Sequence, residues 1–177
     1  LLLEQQKLQH NRRQKYFAGF APRYEAEVFP EQDSAGRNPI AQLVRSGALP
    51  LPGAKREVET IADLLDGAAF TGTAATKTAF QQEATDYTIL HLSMHTLLDD
   101  IQPLSARLLF TPDSLSDGQL TMAELYAMRL SAKLAVLSAC NTGYGQIRKG
   151  EGIMSLSRAF TYRSEEHTSE LQSLLII

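Results

Sequence analysis

Cysteine is almost absent: Cys140 is the only one among 177 residues, so no internal disulfide can form and the thiol is free. A reducing compartment is the simpler setting for such a chain, and the expected location is the cytoplasm. No basic stripe runs through the body of the sequence, and the formal charge is −3. The electrostatic footprint of a nucleic-acid binder is therefore missing, and no nucleic-acid partner is expected. No apolar run reaches the roughly 18 residues that span a bilayer, and no charged start leads into an apolar leader segment. As written, the chain reads as soluble. Internal repeats and low-complexity tracts are also lacking.

What is present fits one α/β domain. Hydrophobic residues make up 44% of the chain and charged residues 21%, enough at this length to fold around a single core. The opening "LLLEQQKLQHNRRQK", residues 1–15, passes from three leucines into a polar, basic stretch. It reads as a linker to an upstream region, and the competing reading is the cut end of an upstream membrane anchor with its positive flank. At the other end, "RSEEHTSELQS", Arg163 to Ser173, looks like a translated sequencing adapter, and residues 163–177 are set aside from the fold. Setting them aside takes one arginine and three glutamates from 17 basic and 20 acidic residues, leaving 16 against 17, a net charge of −1. Glu165 and His167 are accordingly given no function. The domain is expected over residues 16–162.

Between these ends, strand and helix signals alternate. Tyr16 to Tyr24, "YFAGFAPRY", suits a first buried strand that leaves the sheet at Pro22. Glu25 to Ala48 reads as loop. Val58, Ile61, Ala62 and Leu65 recur at i, i+3, i+4, i+7, with Pro52 and Gly53 before them and Gly67 as a stop, which predicts an amphipathic helix. "AAFTG" is a short candidate strand, followed by a helical stretch from Ala74 to Ala84. Tyr87 to Met94 is β-branched and apolar, Arg107 to Phe110 is a shorter candidate, and both are expected to pair. Thr121 and Glu124 form a capping box that should start a helix. Leu134 to Ala139 is apolar without alternation, the mark of a central parallel strand covered on both faces. A glycine-rich loop, Asn141 to Gly150, then leads to a helix bearing Ile153, Leu156 and Phe160. This order predicts a mostly parallel sheet with helices on both faces, whose ligands collect beyond the carboxyl ends of the strands.

Two predicted strands run out into reactive residues: His95 follows one directly and Cys140 the other. A thiol nucleophile needs partial ionisation, a partner to protonate the leaving amine, and donors for the oxyanion. Cys140 lies at a strand exit beside a glycine loop, and His95 can transfer the proton. If the two strands are neighbours, roughly 4.8 Å apart, these residues come within side-chain reach. The amides of Cys140 and Gly143 are candidate oxyanion donors. Taken singly, each reactive residue reads more simply as a core residue, a small buried thiol or a satisfied histidine. Their joint placement brings the two readings level.

The segments "ILHLSMH", "PLSARLLF", "DGQLTMAELYAMRLSAKLAVLSACNTGYG" and "KGEGIMSLSRAF" together resemble the CHAT domain, a caspase-like domain often joined to TPR repeats, in the caspase and separase clan. The likeness covers Phe17 to Tyr162. It implies a caspase-like fold, here incomplete at its C-terminus, and a cysteine endopeptidase acting on a protein substrate. It further implies His95 as the catalytic histidine, Cys140 as the nucleophile, a TPR-like upstream region as regulator, and no cofactor. A catalytically inactive interaction module of the same fold is the alternative. The clan binds its oxyanion with amides from the cysteine and from the residue after the histidine, usually glycine; Thr96 stands here, and a β-branched residue does not take glycine's positive φ. Ser138 stands where caspases carry a pocket glutamine, which argues against aspartate specificity.

Three other motifs are weaker. His91 and His95 have HxxxH spacing, but Leu92 stands where a zinc protease has glutamate. On a strand the two would lie roughly 13 Å apart, too far for one zinc, so no metal is expected and His91 is predicted to be a buried, hydrogen-bonded strand residue. Gly145 and Gly150 have the spacing of a phosphate loop, but Glu151 follows, and the third glycine of a dinucleotide fingerprint would fall on Arg148. Asp99 and Asp100 read as a solvated turn before Pro103 rather than as a site for basic side chains.

Overall fold

A computed structural model describes residues 15–24, 50–97 and 102–138, together with the backbone of 173–176. In chain order its elements are β1 (Lys15–Pro22), α1 (Ala54–Leu65), β2 (Ala68–Gly72), α2 (Lys77–Glu83), β3 (Tyr87–Ser93), β4 (Thr96–Leu97), β5 (Arg107–Leu109), β6 (Gln119–Thr121), α3 (Met122–Ala127), β7 (Leu134–Ser138) and β8 (Ser173–Ile176). The main sheet has the order β2-β1-β3-β7-β8, and every neighbouring pair is parallel. β4, β5 and β6 form a separate antiparallel sheet.

β1 is an interior strand because its residues allow it. Phe17, Ala18, Phe20 and Ala21 are all buried, without polar alternation, as a parallel strand covered on both faces requires. Gly19 lets α1 approach: a Cβ there would lie 2.6 Å from Val58 Cγ1. Of the four apolar positions predicted to form the inner stripe of α1, Val58 and Ala62 are buried, while Ile61 and Leu65 are half-buried. The helix ends at Leu65, ahead of the Gly67 stop. Asp66 takes the left-handed conformation (φ 48°), and the Gly67 amide closes on Ala62 O at 2.9 Å. Gly67 is needed for space, since a Cβ there would meet the Phe17 side chain at 2.8 Å.

α1 lies against one face of β1, β2 and β3. On the other face, Phe80 of α2 joins Ala18, Phe20, Leu90, Leu92, Ala135, Leu137 and the apolar residues of the antiparallel sheet in the main core. Helices thus cover both faces of a parallel sheet, as the alternating pattern predicts. Thr76 caps α2, accepting from the Ala79 amide at 3.0 Å. The Thr121–Glu124 capping box opens α3 as expected, with both reciprocal bonds formed.

Some elements were not anticipated. β4 and β6 are two and three residues long, too short to show a period of two. β5 is paired, as expected, and its partners are β4 and β6. The apolar Ser173–Ile176 runs parallel to β7, so four residues of the segment set aside at the C-terminus take part in the sheet. An apolar strand there covers the backbone groups that β7 would otherwise leave unpaired. The predicted loop 25–48, the glycine loop 141–150, the helix bearing Ile153, Leu156 and Phe160, and residues 163–172 lie outside the described residues.

Candidate active site at the strand ends

The strand order turns around β1: the chain moves from β1 to β2 on one side, then to β3 and β7 on the other. In open parallel sheets the crevice at such a switch, beyond the carboxyl ends of the strands, is where ligands bind. Tyr24 follows β1 there, and His95 follows β3.

β3 and β7 are direct neighbours, and their last residues are matched, Ser93 opposite Ser138. The Met94 amide donates to Ser138 O at 3.2 Å, carrying the ladder one step past the end of β3. The condition that the sequence left open, adjacency of the two reactive strands, is therefore met. His95 is two residues beyond Ser93, and Cys140 is two residues beyond Ser138 in the sequence. Cys140 and Gly143 themselves lie outside the described residues.

His95 is fully buried and held through its backbone. Its amide donates to the Tyr24 hydroxyl at 3.0 Å, and its carbonyl accepts from the Leu109 amide at 3.0 Å. The Tyr24 hydroxyl donates in turn to Leu109 O, a short bond. The Tyr24 ring stands edge-on to the imidazole, with centroids 4.6 Å apart and planes at 60°. Burial raises the pKa of Tyr24 far above its ordinary value, only partly offset by the His95 amide, so the hydroxyl keeps its proton.

Thr96 begins β4 and is buried opposite Leu108. Because the Leu109 amide bonds His95 O, Thr96 and Leu108 form a non-hydrogen-bonded pair, and the Thr96 amide points away from β5. Thr96 sits in extended backbone, and Asp66 is the sole non-glycine residue with positive φ among the described residues. The position therefore makes no use of the conformation that only glycine takes readily.

On the α1 face of the strand ends lies a polar group centred on Glu57. One carboxylate oxygen accepts from His91 Nε2 at 2.9 Å; the other accepts from Ser93 Oγ at 3.0 Å and Ser138 Oγ at 3.4 Å. One helical carboxylate thus spans β3 and β7 just before they reach His95 and Cys140. His91 is the buried, hydrogen-bonded strand residue that the sequence predicted. Ser138, taken for a pocket position, is half-buried with its hydroxyl on Glu57. Asp99 and Asp100 lie outside the described residues.

Sequence reasoning missed Tyr24 and Glu57. Tyr24 was read only as the end of a strand, and nothing local distinguishes its hydroxyl from that of any other tyrosine. Glu57 had a faint signal: a carboxylate directly beside the apolar stripe of α1, adjacent to Val58.

A family model described as the CHAT domain matches residues 2–163. No curated protein matches the chain. Four of the five parallel strands, β1, β2, β3 and β7, fall within the matched residues.

Proposed function

The chain belongs to the CHAT domain family, in the caspase-like peptidase clan, and from that premise we propose that it is a cysteine endopeptidase with Cys140 as nucleophile and His95 as proton carrier. The observation that carries this reading is the register of β3 and β7, Ser93 opposite Ser138, which sets two equal steps of chain between the matched row and each reactive residue.

In the proposed cycle the Cys140 thiol gives its proton to the His95 imidazole, and the thiolate sulfur attacks the substrate carbonyl carbon. The tetrahedral oxyanion is held by backbone amides of Thr96, Cys140 and Gly143. Collapse breaks the C–N bond, the amine leaves with the proton from the imidazolium, and a thioester remains on Cys140. Water then attacks the thioester carbonyl while His95 takes its proton, and return of that proton to sulfur frees the acid product and the thiol. An upstream TPR-like region is proposed as the regulator and the cytoplasm as the setting.

The burial of His95 favours a second reading, an inactive caspase-like module that binds partners. An electrophilic peptide probe on the full-length protein separates the two. The endopeptidase reading expects covalent labelling at Cys140 that Cys140→Ala abolishes and His95→Ala slows severely. Labelling indifferent to His95→Ala removes it in favour of the module.

A further inference from the structure

We propose that Tyr24 is a positioning residue for His95, its hydroxyl fixing the histidine's backbone and its ring fixing the imidazole. This rests on the endopeptidase reading above and adds to it a residue that neither the sequence nor the family match assigns.

Both peptide groups of His95 end on the same two residues. The amide goes to Tyr24 Oη and the carbonyl to Leu109 N, while Tyr24 Oη and Leu109 O are themselves bonded. The result is a closed loop of three bonds joining the exit of β1, the exit of β3 and the end of β5. A histidine held at both backbone groups has only its two side-chain torsions left, and the Tyr24 ring, 4.6 Å away by centroids, restricts those.

The loop is anchored on either side. The Arg23 amide donates to Thr111 Oγ1 at 3.0 Å, and that hydroxyl donates to Gly72 O at 2.8 Å at the end of β2. The Thr111 amide donates to Ala75 O at 2.9 Å. The antiparallel sheet therefore clasps the carboxyl edge of the parallel sheet through β1, β2 and β3, and Tyr24 is the link of that clasp that touches His95.

Core filling alone does not call for a hydroxyl. The neighbouring aromatic positions of β1, Phe17 and Phe20, are phenylalanine and fully buried. At position 24 a phenylalanine would fill the same space but leave His95 N and Leu109 O without this partner. The hydroxyl serves as acceptor and donor at once, which requires the protonated form that burial enforces. A general acid–base must sit within about 1 Å of its productive place, since such a displacement can cost roughly a hundredfold in rate. Holding the backbone of His95 is a direct way to meet that demand.

The test compares rates of covalent labelling by an electrophilic peptide probe in the full-length protein, as wild type, Tyr24→Phe, His95→Ala and Thr121→Ala, across pH. Thr121→Ala serves as a destabilised control whose side chain bonds Glu124 and takes no part in the loop around His95. The proposal expects Tyr24→Phe to slow labelling about tenfold, and to displace the limb of the pH profile that His95→Ala abolishes, while Thr121→Ala leaves both unchanged. Wild-type rate and profile in Tyr24→Phe, with His95→Ala still slow, overturn the positioning role and leave the endopeptidase reading intact. An equal slowing by Thr121→Ala also overturns it. Labelling indifferent to His95→Ala ends the endopeptidase reading, and the positioning role falls with it. Should Tyr24→Phe not fold, 3-fluorotyrosine at position 24 decides. It keeps the shape and weakens the oxygen as acceptor, so a slowed rate supports the proposal and an unchanged one overturns it.

Discussion

On one face of the parallel sheet, Phe20 meets Phe80 and Phe110 edge to face at 5.3 and 6.2 Å and stacks on Phe70 at 4.7 Å. On the opposite face, over the ends of β3 and β7, Glu57 gathers His91, Ser93 and Ser138. Alternate residues of one strand serve both: Leu90 and Leu92 point into the apolar core, while His91 and Ser93 point to the carboxylate. One strand thus carries an apolar face and a hydrogen-bonded polar face at once. Shape alone fixes the first face, whereas the second is fixed by directional bonds that keep His91 and Ser93 buried and leave Glu57 and Ser138 half-buried.

The sharpest way to separate the faces is to cut the larger aromatic contact. Phe20→Ala removes a fully buried ring from three aromatic neighbours and is expected to cost about 3–5 kcal/mol, read by urea unfolding. On the polar face, Glu57→Ala leaves His91 Nε2 and two hydroxyls without their acceptor, and the expected cost is about 1–3 kcal/mol. Glu57→Gln keeps the shape and should cost less. If Glu57→Ala costs as much as Phe20→Ala, the division of labour between the faces is wrong.

The smallest effect belongs to the capping box of α3, which closes the apolar side with Met122 and Leu125. Thr121→Ala should cost about 1 kcal/mol. Partial burial pushes the Glu124 carboxyl up, but the bond from the Lys77 ammonium at 2.6 Å and the bonds from Thr121 outweigh it and hold the group below its ordinary 4.5. A carboxylate depressed in the folded state adds stability above its unfolded pKa, and that stability is lost as pH falls through the folded value. Denaturant midpoints of wild type and Glu124→Gln should therefore differ at pH 7 and converge in acid below the ordinary carboxylate range.

Much of the fold was legible because its signals are local. The stripe on α1, the apolar runs of β1 and β7, the β-branched and apolar residues of β3, and the Thr121–Glu124 box each lie within a dozen residues. β4 and β6 escaped because strands of two and three residues exist only through their partners. The site was half legible. His95 stands out as a titratable residue at a strand end, and the pairing of β3 with β7 brings its strand beside the one that precedes Cys140. Tyr24 was silent and Glu57 nearly so, because their roles depend on contacts 71 and 34 residues away, to His95 and His91, which no local window contains. Ser138 was legible as a position and not as a partner of Glu57. Ser173–Ile176 pairs with β7, and that pairing lies in no local signal.

Whether His95 and Cys140 act as a pair is read from the alkylation of Cys140. The chain has one cysteine, so mass mapping after iodoacetamide reports that thiol alone. An imidazole partner favours the thiolate, so alkylation in the wild type should begin well below the ordinary cysteine pKa of about 8.5 and shift toward it in His95→Ala. Identical pH dependence in wild type and His95→Ala would contradict the account.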